Sequence, residues 1–218
     1  MPTSTAKIAQ GTVLAIETGS GTSVTVTGGT KAKPMVLTAT NTSAAGDVLA
    51  FPSAGLTGMP EIGGGLAFVA SATGTSITTN VDASSFAAAA TAGTATLKTF
   101  ANIANLKDFN GFTGTVSEID KSHLGSNAKE FSPGLEDFGS ITFNMDLDPT
   151  DAGQQALMAA KSSSSILVFR IKYPSASTAR AFYGFVKKLE EAGQVDGVYR
   201  LAGEIRITGR VVRQEVTV

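Results

Sequence analysis

The chain has 218 residues, enough for one large domain or a domain with a smaller companion, and a formal net charge of −1 at pH 7. It contains no cysteine, which excludes disulfides and cysteine-ligated zinc or iron–sulfur sites, and one histidine, His123, which excludes a histidine-rich metal centre. The near-zero charge supplies no basic field for nucleic-acid binding.

The opening MPTSTAKIAQGT lacks the apolar core of a signal peptide, and no later run approaches a membrane span, so a soluble, intracellularly made protein is expected. Residues 12–17 read as a first strand. From 34 to 97 there is no lysine or arginine, and only Asp47, Glu61 and Asp82 are acidic. This Thr/Ala/Gly/Ser-rich stretch holds short β-type runs at 35–40, 47–51, 66–70 and 76–81, separated by turn residues. Their regular spacing predicts a small, weakly charged β-module rather than a disordered linker. Strands are expected next at 103–108 and 115–119.

In SITFNMDLD (140–148) Ile141, Phe143, Met145 and Leu147 alternate with polar residues, the period of a strand with one buried face. The following DLDPTDAGQQAL (146–157) crowds Asp146, Asp148 and Asp151 together. As a calcium loop it fails, because the sixth position is Asp151 instead of glycine and the twelfth is Leu157 instead of glutamate. Read as a corner, it places Asp148 as helix N-cap, Pro149 at the first helical position and Asp151 in the first turn. The helix runs on until the serines at 162–165. ILVFRIKY (166–173) is nearly continuously apolar and is expected to lie centrally. A strand at 181–189, a turn at 193–197 and an alternating strand at 198–212 complete the chain. The fold class is therefore mainly β, a β-sandwich or barrel core with one α-helix and a small all-β insert. The lack of further long helices excludes a parallel α/β enzyme.

Charge is blocked along the C-terminal half. Residues 118–151 carry eight acids against two lysines, and 161–213 carry ten basic residues against four acids. Two explanations stay open: cross-strand pairing within one sheet, and attraction between copies of the chain. The residues that would form a charge-complementary assembly surface are Glu118, Asp120, Glu136, Asp137, Asp146, Arg206 and Arg210. No G-x-S-x-G elbow accompanies His123, and the glycines at 63–65 lack the lysine and helix of a phosphate cradle. His123 is read as a loop residue; no catalytic residue, cofactor or metal is expected.

The order of the pieces carries a resemblance. IAQGTVLAIETG opens the chain, FANIANLKDFNGFTGTVSEID resumes after the insert, and EIDKSHLGSNAKEFSPGLEDFGSITF follows. Then come the DP..AGQ helix start, ILVFRIKYP and GVYRLAGEIRITGRV. Over residues 6–32 and 99–213 this resembles the major tail tube proteins of long-tailed bacteriophages. The resemblance implies a subunit that closes into hexameric rings. These stack into a tube that holds the tape measure protein, meets tail terminator and tip proteins, and conducts viral DNA without reading its sequence. Its place would be the virion, after synthesis in the host cytoplasm. The tube of type VI secretion systems is a related home. A core at 1–32 and 99–218 would carry an insert at 33–98 that projects outward to leave the lumen open. Two other readings remain: a surface-displayed β-module binding a carbohydrate or host receptor, and a hydrolase using Asp146 and Asp148 on one strand face. For the first, Trp is absent and Tyr scarce. For the second, no opposing strand offers a carboxylate across a cleft.

Overall fold

A computed structural model of the chain describes residues 8–125, 127–174 and 177–214; the ends of the expected core, 1–7 and 215–218, lie outside them. The elements in order are β1 (Val13–Glu17), β2 (Thr22–Gly29), β3 (Val36–Ala39), β4 (Val48–Ala50), β5 (Leu66–Thr73), β6 (Ser76–Thr79), β7 (Gly93–Leu97) and β8 (Phe100–Asn102). Then follow β9 (Leu106–Gly111), β10 (Thr115–Asp120), β11 (Phe131–Asp137), β12 (Ser140–Asp146), α1 (Ala152–Ser163), β13 (Leu167–Tyr173), β14 (Thr178–Ala192) and β15 (Arg200–Gln214). They build a seven-stranded antiparallel sheet in the order β8-β1-β13-β14-β15-β12-β9, a closed barrel β2-β3-β6-β5-β4-β7, and a separate hairpin β10–β11.

The alternation of side chains explains how sheet and barrel meet. In β13, Phe169 and Ile171 join Leu14, Ile16, Phe143, Phe182 and Ile205 in a core that α1 caps with Leu157 and Ala160. Val168, on the opposite face of β13, packs with Ala179 and Ala181 of β14 against Val48, Ala50, Leu66 and Phe68 of the barrel. The barrel strands divide in the same way: Leu49, Ala67 and Val69 fill the barrel interior while their neighbours turn to the sheet. Hence β4, the first half of β5 and most of β13 read as nearly continuous apolar runs, because both of their faces are covered there. Closure of the barrel leaves it no free edge.

Polar groups tie the seam. Glu17, 8% exposed, accepts hydrogen bonds from Lys98 Nζ and from the Val168 amide at 2.8 Å. Arg170 donates from Nη1 to the Gly46 carbonyl at 3.2 Å and lies 4.3 Å over the Phe100 ring. Asn80 donates to the Arg213 carbonyl at 2.7 Å. Burial pushes the Arg170 pKa down, against the opposing pull of Asp47.

The structure differs from the sequence reading in three places. The barrel begins before residue 33: β2 pairs with both β3 and β7, so a boundary at 33 severs a barrel strand from its neighbours. The strand expected at 103–108 is broken by Asn105 at φ 60°, which separates β8 from β9. The third concerns the start of the helix. Asp148 does not cap α1; its Oδ1 accepts from the amide and hydroxyl of Thr150, forming a turn. The cap is Asp151, whose Oδ1 accepts from the Gln154 amide at 2.8 Å. The turn uses three residues before the chain can enter the helix, which moves the cap from one aspartate to the next. Buried Gln154 then welds the corner, donating to the carbonyls of Asp146 and Ala104 and accepting from the Asp148 amide.

Candidate assembly surface

Between Gly111, where β9 ends, and Ser140, where β12 begins, the chain leaves the sheet as the β10–β11 hairpin. Its strands pair only with each other. The register shifts between Val116 and Glu118, where Gly134 and Leu135 together face Ser117, next to Pro133. Proline is tolerated in such a strand because an isolated hairpin leaves half of its backbone groups to solvent. Gly134 sits so close to Ser117 that a Cβ would meet the Ser117 carbonyl oxygen at 3.0 Å. Val116, Ile119 and Phe131 are about half exposed, Leu135 is 89% exposed, and Leu124 at the tip is fully open.

The foot of the hairpin is anchored. Arg206 Nη2 donates to Asp137 Oδ2 at 2.6 Å, and the Gly139 amide donates to Asp137 Oδ1 at 2.9 Å. The amide first, and the guanidinium second, hold the Asp137 carboxyl below the usual range. Beside it lies an open crevice of about 540 Å³ lined by Glu136, Phe138, Phe185 and Arg210. A neighbouring hollow of about 390 Å³ is lined by Phe112, Arg180 and Arg213, with Arg180 4.5 Å over the Phe112 ring.

These contacts place each residue of the expected charge surface. Arg206 and Asp137 pair within the chain, on facing elements. Asp146 pairs with Lys107 at 2.8 Å on the adjacent strand β9, far from the hairpin. Asp120 turns back to accept from the Ser122 amide, which with the Ser122 hydroxyl lowers its pKa. Glu118, Glu136 and Arg210 are exposed. Arg206 therefore already has its carboxylate, while these three remain turned to solvent. Asp148 falls in the turn beyond β12, so Asp146 and Asp148 do not share a strand face as the hydrolase reading requires. Among the described residues no three metal-binding side chains gather.

The apolar residues of the hairpin were not singled out from the sequence. Their signal is the absence of a period: in TVSEID the apolar Val116 and Ile119 fall on opposite faces, between acids, so neither face is a core face.

The model of the family described as phage tail tube, TTP, lambda-like, matches residues 75–179, just under half of the chain, running from β6 across the seam into the start of β14. No curated protein matches. Among solved structures, the tail of an empty GTA particle refined with C6 symmetry is 16% identical, with a TM-score of 0.46 over 53% of this chain and 87% of that one. The SPP1 tail tube is 16% identical, with a TM-score of 0.42 over 53% of this chain and 67% of that one. A chain of the anti-feeding prophage baseplate is 11% identical, with a TM-score of 0.44 over 55% and 87%. The family match over residues 75–179 is to tail tube structural proteins, not to an enzyme family.

Proposed function

We propose that this chain is a tail tube protein that closes with copies of itself into rings, and that the rings stack into the conduit through which the genome leaves the virion. The observation that carries the reading is the β10–β11 hairpin. A two-stranded hairpin is marginal in water by itself, and this one holds Leu124, Leu135 and Phe131 out to solvent. Such a surface is the kind that a monomer does not keep and an assembly covers. The outer strand β9 supplies an open edge for lateral pairing between subunits. A closed barrel offers none, so its place is outside the ring contacts, projecting outward. Glu118, Asp120, Glu136 and Arg210 are the charged residues available for contacts between copies. Tape measure, terminator and tip proteins are the further partners of such a tube, and the net charge of −1 suits passage of DNA without sequence-specific binding. Synthesis in the host cytoplasm precedes assembly.

Negative-stain microscopy of the purified protein over a concentration series tests this. Rings or tubes are expected. Monomers that persist at high concentration, with affinity for a polysaccharide or a cell surface, would replace the tube with a displayed binding module.

A further inference from the structure

The sheet register places the two projections of the chain at opposite ends of β12. Along β12, Ser140 stands beside Arg206 and Asp146 beside Arg200. The β10–β11 hairpin enters β12 at Ser140, whereas the loop joining β14 to β15 lies at the Arg200 end, where Ala192 faces Arg200. The two projections thus leave opposite ends of β12. The second is also apolar and uncovered: Val195 is fully exposed, Tyr199 70% and Val198 more than half. Two exposed apolar ends on one chain, pointing in opposite directions, are the arrangement of a head-to-tail contact, which repeats without closing.

Charge fits the same pairing. The span 115–137 carries five acids (Glu118, Asp120, Glu130, Glu136, Asp137) against Lys121 and Lys129. The 193–199 loop has one, Asp196. At its foot Arg200 is exposed, and among the described residues no carboxylate lies within ion-pair distance of it. The acidic, apolar hairpin is thus complementary in character to a loop of valine and tyrosine flanked by an available arginine.

We infer that the β14–β15 loop, through Val195, Val198, Tyr199 and Arg200, is the surface on which the β10–β11 hairpin of a second copy docks, in the next ring of the stack. The inference rests on the tube reading and names the two surfaces that meet in it. Side-by-side closure of a ring uses another surface, the edge of β9. Loss of the loop contact consequently leaves rings and removes tubes.

The absence of cysteine makes the test clean. Two double variants, Leu124→Cys with Val195→Cys and Leu135→Cys with Val198→Cys, are assembled and oxidised beside the four single variants. At least one pair is expected to give a ladder of covalent oligomers in a denaturing gel, while singles stop at dimers. In parallel, Val195→Asp with Tyr199→Asp should keep the melting temperature of the subunit, because both side chains are exposed. It should raise the subunit concentration needed for tubes by about tenfold or more, the effect of losing a central apolar contact. Tubes with neither ladder nor shift in threshold overturn the docking surface and leave the tube reading standing. Absence of any assembly by the unmodified chain overturns both.

Discussion

Phe68 offers a direct measure of how firmly the barrel is built into the subunit. Its side chain is fully buried, on a barrel strand but facing the sheet, against the cluster of Val168, Ala179 and Ala181. A phenylalanine in such a place removes about 150–250 Å² from water, which at about 25 cal/mol per Å² is about 4–6 kcal/mol for the whole residue. Truncation to alanine keeps part of that and leaves a cavity, so Phe68→Ala should cost about 3–5 kcal/mol. The same loss is expected from Leu37→Ala inside the barrel, at about 2–5 kcal/mol. The informative quantity is the shape of the transition. If the apolar seam and the Glu17–Lys98 pair join barrel and sheet, urea unfolding followed by far-ultraviolet circular dichroism and by tyrosine fluorescence gives one coincident transition. Both variants then move it to lower urea at unchanged slope. Tyr173 and Tyr183 report from the sheet, so an effect of Leu37→Ala on their signal shows that the barrel interior is felt across the seam. Two separate transitions, or a loss under about 1 kcal/mol for Phe68→Ala, would refute the argument. On the same reasoning, excising 33–98 leaves β2 unpaired and uncovers Val168, Ala179 and Ala181, so that chain should be insoluble instead of a slimmer tube subunit.

Asp151→Ala should cost about 1–2 kcal/mol in chemical denaturation, since Asp151 caps α1 and also accepts from the Ala104 amide. Asp148→Ala, which loses only contacts to Thr150, should cost less; the reverse order would restore Asp148 as the cap. Gly153→Ala ordinarily favours a helix by about 1 kcal/mol, but here a Cβ would come within 2.8 Å of Ile103 Cα and closer still to the Asn102 carbonyl. A lowered melting temperature is therefore expected, and a raised one would mean that α1 stands off β8. The carboxyls of Asp120, Asp137, Asp148 and Glu204 are all held below their ordinary values, by Ser122, by Gly139 and Arg206, by Thr150, and by Lys187 and Ser140 respectively. Groups shifted this way contribute stability that is fully present above about pH 5, above their unfolded values, and is lost as pH falls through their lower folded values. Thermal melts from pH 7 to pH 2 should show a small decline confined to the acid end, reduced in Asp137→Asn; a decline that begins near pH 6 would point to other groups.

Much of this protein is written in local pattern. The alternation in 140–148 fixes which side chains of β12 are buried, because a strand with one covered face must repeat every second residue, and the four β-type runs between 35 and 81 each become a barrel strand. Local pattern also marks 166–173 as a strand with two covered faces. What it does not contain is the identity of the cover. Val168 and Phe169 are equally apolar, yet one meets the barrel and the other the helix-capped core, a choice made by contacts more than a hundred residues apart. The same limit moved the barrel boundary: TSVTVTGG alternates like any edge strand, and only its bonds to β3 and β7 assign it to the barrel. At the corner, Asp148 and Asp151 both satisfy the sequence preference for a cap; Asp148 is taken up by the turn to Thr150, and Gln154, reaching back to Asp146 and Ala104, fixes the helix start that follows. Charge blocks announced complementary surfaces but not which partner each charge takes. Arg206 finds Asp137 within the chain because the hairpin foot folds onto β15, whereas Arg200 faces solvent at the far end of the same strand. Sequence determines the period and the polarity of each element; which faces meet depends on non-local burial, and that is settled only when the elements pack.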